Sequence, residues 1–270
     1  LQGDVGSGKT IVAALASAMV NHSGAQSAIM APTSILAGQH FRTFQSLLVD
    51  GNGPLKPGQL RLLVGDTPEG EKQEIYSGIS SGAIRIVIGT HALIEDPVTF
   101  ADLQFIVLDE QHRFGVEQRA SLRSKGTNPH LLVMTATPIP RSLALTLYGD
   151  LDLSVMDELP PGRQMIPTHI LLPGERERAY SLIRSQVQAG RQAFIIYPLV
   201  EESDKLDALA ATQEQERLQK DVFPDLKVAL LHGRMKPAEK DAIMLAFHAR
   251  QYDILVSTTV IEVGVDVPNA

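Results

Sequence analysis

Gly3-Asp4-Val5-Gly6-Ser7-Gly8-Lys9-Thr10 is the stretch on which the rest of the chain is read. Gly3, Gly6 and Gly8 let a backbone take conformations closed to other residues and approach phosphate oxygens closely. Backbone amides, those of Asp4, Val5 and Ser7 included, and the N-terminus of a following helix then face the anion. Lys9 supplies a point charge for the β- and γ-phosphates, and Thr10 offers a hydroxyl to Mg²⁺. An apolar run at 9–20, spaced as a helix, follows at once. The stretch therefore reads as a phosphate-binding loop opening on a helix.

Moving outward, short β-rich runs alternate with longer helical ones. Strands are predicted at 27–31, 60–64, 84–88, 105–108 and 131–134, with helices from Thr33 or Ser34 to about Leu48 and at 69–79. Runs that are apolar throughout, separated by crossover helices, imply a parallel sheet covered on both faces. Two prolines and a glycine at Pro160-Pro161-Gly162 then read as a linker. The alternation restarts beyond it, with strands at 193–197, 228–231 and 254–256 and helices near 175–188, 204–220 and 237–249. The expected organisation is two α/β domains, 1–160 and 164–270. The first would lack its opening strand, because the phosphate loop begins at the third residue. The chain opens on Leu1 rather than Met and stops just after a motif-like stretch, so it reads as part of a longer protein.

Composition narrows the function classes. There is no cysteine, which excludes a disulfide framework and a thiolate metal site. No apolar run reaches the ~18 residues of a membrane span. Net charge is −7, and neither domain carries a positive excess. Binding to nucleic acid by bulk electrostatics is therefore disfavoured. Any grip on DNA must come from local groups.

Four further constellations carry chemistry. The run at 105–108 delivers Asp109 and Glu110 at the C-terminal edge of a buried strand, where α/β sheets place ligands. Asp109 would hold Mg²⁺, and Glu110 would polarise an attacking water. Gln111 and His112 follow and would sense the nucleotide state. Thr135-Ala136-Thr137 follows the next strand, and its hydroxyls could bond the 109–112 segment or simply cap a helix ahead of Pro138. In the second domain, Thr258, Thr259, Gly264 and Asp266 follow a strand and suit close approach to phosphate or sugar. Pro32 and Thr33, Gly89, Thr90 and His91, and His232, Gly233 and Arg234 end other strands in the same way. Amides and hydroxyls so placed can bond DNA phosphates without a net positive charge.

In order, GDVGSGKT (3–10), APTSILAGQH (31–40), GTHALI (89–94), DEQH (109–112), TATPIPR (135–141), FIIYPLVEES (194–203) and STTVIEVGVDVPNA (257–270) resemble the motifs of superfamily 2 helicases. The longer stretches DEQHRFGVEQR, TATPIPRSLALTLYGDLDLSVMDELPPGR and LLHGRMKPAEKDAIMLAFHARQYDILVSTTVIEVGVDVPNA resemble the bacterial RecG family, and the resemblance spans essentially the whole chain. It implies an α/β fold of two RecA-like P-loop NTPase lobes, each a parallel sheet flanked by helices, with the second truncated. It also implies ATP and Mg²⁺ as cofactors, and forked or branched double-stranded DNA as partner. A monomer in the bacterial cytoplasm, at the nucleoid, would be expected. Gln111 departs from the Glu usual in the related transcription-repair coupling factor. The family's wedge domain and motif VI arginine would lie outside this chain. A nucleotide- or DNA-binding module without turnover, or a coupling-factor-like translocase, is the alternative.

Overall fold

The computed structural model describes residues 1–110, 114–137, 151–158, 166–197, 204–258, 267 and 269–270. The chain divides into two compact units, Leu1–Gln164 and Met165–Ala270.

The first unit is built on five parallel strands in the order β3-β4-β2-β5-β6: β2 (Gln26–Met30), β3 (Leu60–Leu63), β4 (Ile86–Gly89), β5 (Leu103–Asp109) and β6 (His130–Met134). Side chains alternate between the two faces of a strand. Ile29, Ile86, Ile88, Phe105 and Val107 therefore pack under α1 (Lys9–His22) and α2 (Ser34–Phe44). Ala28, Met30, Val87, Ile106 and Leu108 face the opposite way, against Ile75 and Ile79 of α3 (Glu69–Ser80) and Leu122 of α4 (Val116–Arg123). Burial on both faces is why these strands read as continuous apolar runs. The fully buried residues of helix α1 are small, Ala13, Ala14 and Ser17, while Leu15 and Met19 are exposed.

Two residues of strand precede the loop. A two-residue strand, β1 (Gln2–Gly3), pairs in parallel with β7 (Val155–Met156). Two residues suffice because both edges are bonded: Gln2 N–H donates to Ser154 O at 2.8 Å, Gly3 N–H to Thr135 O at 3.2 Å, and Thr135 N–H to Leu1 O at 3.2 Å. The phosphate loop thus leaves the same sheet edge as β5 and β6.

Two helices are shorter than the sequence suggests. Each ends one turn early and widens into a π turn, Gln45–Val49 after α2 and Leu218–Val222 after α6 (Asp204–Arg217). Helix α4 was not foreseen, because its sequence VEQRASLR is short and predominantly polar. The two-residue β7 is too short to show a period. The linker prolines lie outside the described residues.

The second unit holds three parallel strands in the order β8-β10-β9: β8 (Ala193–Ile196), β9 (Val228–Leu231) and β10 (Ile254–Ser257). They are flanked by α5 (Arg176–Gln188), α6 and α7 (Pro237–His248). Ile254 and Val256 pack with Tyr180, Leu218, Phe223 and Val228.

The two units share a clamp. In the first, the buried Gln26 amide donates to Ile79 O at 2.9 Å and Ile84 O at 2.7 Å, while its carbonyl accepts Asp102 N–H at 2.9 Å. In the second, Gln192 donates to Phe247 O and Tyr252 O, both at 2.7 Å. Each glutamine ties the start of a strand to the C-terminal end of a helix and the turn after it. Gln26→Ala would remove three hydrogen bonds, and only Ile79 O among their backbone partners would keep a second one, from Gly82 N–H at 3.1 Å. A loss of about 2–4 kcal/mol is expected, read as a lower urea midpoint at unchanged m-value.

Candidate nucleotide site

Gly3 must be glycine, because a Cβ there would meet Ser7 Oγ at 2.6 Å and Met156 Cβ at 3.0 Å. Gly6 and Gly8 adopt φ of 80° and 98°, the left-handed region that side chains disfavour. Gly8 is the N-cap of α1 and supplies no side-chain bond, so the first helical amides keep their donor capacity. The Lys9 ammonium donates to Gly3 O at 2.7 Å and Asp4 O at 2.8 Å. Desolvation pulls its pKa below the ordinary lysine value, opposed by the charges of Asp109, Glu110 and Asp4. Both β5 carboxylates therefore act on the loop lysine.

Asp109 and Glu110 are 8% and 5% exposed, too little for solvent to carry their charge. Each has dedicated partners. His40 Nε2 lies 2.7 Å from Asp109 Oδ2. Glu110 Oε2 accepts the Thr135 hydroxyl at 3.1 Å, and Oε1 accepts the Ala136 amide at 3.0 Å. The Thr135 and Thr137 hydroxyls are 2.8 Å apart. Glu110 itself takes a φ of 50°, a conformation uncommon outside glycine. Its N–H is pinned to Met134 O at 2.9 Å, so the backbone and both carboxylate oxygens are tied to the end of β6.

Other sequence candidates share this sheet edge, because parallel strands end together. Pro32 and Thr33 follow β2, and the Thr33 hydroxyl caps α2 by accepting Leu36 N–H at 3.3 Å. Gly89 ends β4, where a Cβ would run into the Leu63 carbonyl. Thr90 is buried with its hydroxyl unpaired among the described residues, and His91 is exposed at the start of a 3₁₀ turn. In the second unit, His232, Gly233 and Arg234 follow β9, and Thr258 follows β10 with its N–H on Leu231 O at 3.3 Å. His232 Nδ1 is buried without a partner among the described residues. Burial lowers its pKa first, and Lys240 and Arg234 add to the effect. Gln111, His112, Thr259, Gly264 and Asp266 lie outside the described residues.

Sequence reasoning missed His40. The signal available was its place on the apolar stripe of α2, with Leu36, Ala37 and Phe44. A polar side chain there needs a buried partner. Only the fold identifies that partner as Asp109.

Among the described residues, no cluster of three or more His, Asp and Glu side chains could hold a metal, and no helix is long and apolar enough to cross a membrane.

Residues 1–146 match the DEAD/DEAH box helicase family, and 175–270 match the helicase conserved C-terminal domain. The chain belongs to the DEAD/DEAH box helicase family. Within it, the chain is similar over its whole length to bacterial RecG. The ATP-dependent DNA helicase RecG of Synechocystis is 53% identical over 270 residues, and that of Thermotoga maritima 53% over 271. The chain spans about a third of their lengths, 32% and 34%. A solved RecG bound to a three-way DNA junction aligns with all of the chain and 34% of its own, at 46% identity and TM-score 0.72. Mss116p, bound to ssRNA and AMP-PNP, is 20% identical with TM-score 0.72, and that likeness concerns the fold alone. The fold of this helicase-family chain is thus RecA-like, with parallel sheets flanked by helices.

Thr135→Val would remove a hydroxyl donor to the buried Glu110 carboxylate at constant volume. A loss of about 1–3 kcal/mol is expected. Thr135→Ser should recover most of it in the same chemical denaturation assay.

Proposed function

We propose that this chain is the motor region of an ATP-dependent DNA helicase of RecG type, a double-stranded DNA translocase that remodels stalled forks and branch-migrates Holliday junctions. The observation that carries it is the meeting of the phosphate loop and the buried Glu110 carboxylate at the end of β6, where Thr135 O accepts Gly3 N–H and the Thr135 hydroxyl and Ala136 N–H donate to Glu110. The similarity of the whole chain to the RecG relatives supports it. Residues 1–160 would form the nucleotide-binding lobe and 164–270 the second lobe. The protein would act as a monomer in the bacterial cytoplasm, at the nucleoid.

The site residues fit Mg²⁺-ATP. Thr10 and Asp109 offer hard oxygen donors, the ligand type that Mg²⁺ takes. Bound there, Mg²⁺ would supply positive charge that offsets the negative charge developing on the phosphates. The loop amides from Gly3 to Gly8 would cradle the phosphates, and Lys9 would leave the Gly3 and Asp4 carbonyls for the γ-phosphate. Glu110 would orient and polarise the attacking water. Thr135 and Thr137 would relay its state, with Gln111 and His112 as the neighbouring sensors; Gly264 and Asp266 would also bind nucleotide. Pro32, Thr33, Gly89, Thr90 and His91, with His232, Gly233, Arg234, Thr258 and Thr259, would bond DNA phosphates. Amides, hydroxyls and a few cations at strand ends are compatible with the net charge of −7.

Two substitutions separate binding from turnover. Lys9→Ala should weaken nucleotide binding by about tenfold or more and abolish forked-DNA unwinding by the full-length protein. Glu110→Gln should leave nucleotide binding within about twofold and lower kcat at least ~100-fold. Intact unwinding in Lys9→Ala would overturn the reading.

A further inference from the structure

The contact between His40 and Asp109 joins the helix after β2 to the carboxylate proposed to face the metal. His40 Nε2 and Asp109 Oδ2 are 2.7 Å apart, with side chains only 9% and 12% exposed. An ionised carboxylate only accepts hydrogen bonds, so Nε2 carries the proton and donates. His40 is itself held firmly. It lies on α2, whose first turn is capped by Thr33, and between Ala37 and Phe44 on the buried face of that helix. Glu110, the neighbouring carboxylate, has both oxygens engaged at the end of β6. The two acidic side chains are thus restrained by different elements, Asp109 by α2 and Glu110 by β6.

We infer that His40 is a positioning residue for the metal: its Nε2–H fixes Asp109 through Oδ2 and so orients the carboxylate that would hold nucleotide-bound Mg²⁺. The inference rests on the nucleotide-binding reading above. A carboxylate with one oxygen restrained loses less rotational freedom when it meets a metal shell. Outer hydrogen bonds to metal-binding groups are commonly worth 10–100-fold in metal affinity. His40 touches neither substrate nor metal in this scheme and acts only through Asp109.

The test measures binding of a fluorescent ATP analogue to the chain as Mg²⁺ is titrated, with a parallel series in chelator. In His40→Leu, the Mg²⁺ concentration giving half the metal-dependent gain should rise ~10-fold or more. Metal-free binding should stay within about twofold. His40→Gln, which can place an amide N–H where Nε2 sits, should return the Mg²⁺ requirement toward its original value. His40→Asn, whose amide is too short to reach, should not. An unchanged Mg²⁺ requirement in His40→Leu would overturn the proposal. So would equal behaviour of Gln and Asn, or a loss of metal-free binding as large as the metal-dependent loss, since each is what a purely packing role gives. Should His40→Leu fail to fold, the Gln and Asn pair decides the matter alone. If Lys9→Ala bound the analogue as well as the unsubstituted chain does, the nucleotide reading itself would fall and take this proposal with it. A change in the Mg²⁺ requirement confined to His40 variants separates the two.

Discussion

Two adjacent carboxylates at the end of β5 are nearly removed from water, and the architecture around them answers that burial. A buried charge is tolerated only when it is bonded or matched by an opposite charge. Asp109 has the His40 imidazole, Glu110 has the Thr135 hydroxyl and the Ala136 amide, and Lys9 adds its positive field to both. These partners come from α2, from the end of β6 and from the loop after β1. None is near Asp109 in the sequence, and they meet because parallel strands bring their C-terminal ends to one edge.

The same edge explains where the conformational strain lies. Glu110 sits at positive φ because its N–H reaches Met134 O while its side chain turns to Thr135 and Ala136. Three bonds to the end of β6 hold a conformation that the residue alone would avoid. In the loop, Gly6 and Gly8 take left-handed conformations without that support, since they have no Cβ to clash. Strain thus falls on the acidic residue that must be aimed, while glycine serves where the chain must only bend.

The second unit repeats the logic on a smaller sheet. Gln192 clamps the start of β8 to the end of α7 as Gln26 clamps β2 to the end of α3. Both glutamines add a side-chain donor to a carbonyl in the last turn of a helix, beside the backbone N–H that it also accepts. The sequence contains no repeat between the halves, yet in both a helix returning to the sheet brings carbonyls beside the start of a strand, and the same side chain donates to them. A hydrogen-bonding need, rather than a shared motif, is what the two units visibly have in common.

The sequence by itself determined the phosphate loop, the parallel sheets and the Asp109-Glu110 pair at a strand end. Those features are local: glycine spacing, apolar runs buried on both faces, and a polar pair ending such a run. It placed most strands within two residues, because strand burial leaves a direct imprint on composition. It missed α4, whose polar face dominates its sequence, and β7, which is too short for any period. Only the tertiary structure decided that His40 meets Asp109 across 69 positions, that Glu110 turns to Thr135, and that β1 survives as two residues between β6 and β7. Partner choice for a buried charge depends on which strands are neighbours. Strand order 3-4-2-5-6 is a property of the packed sheet and is not encoded in any single segment.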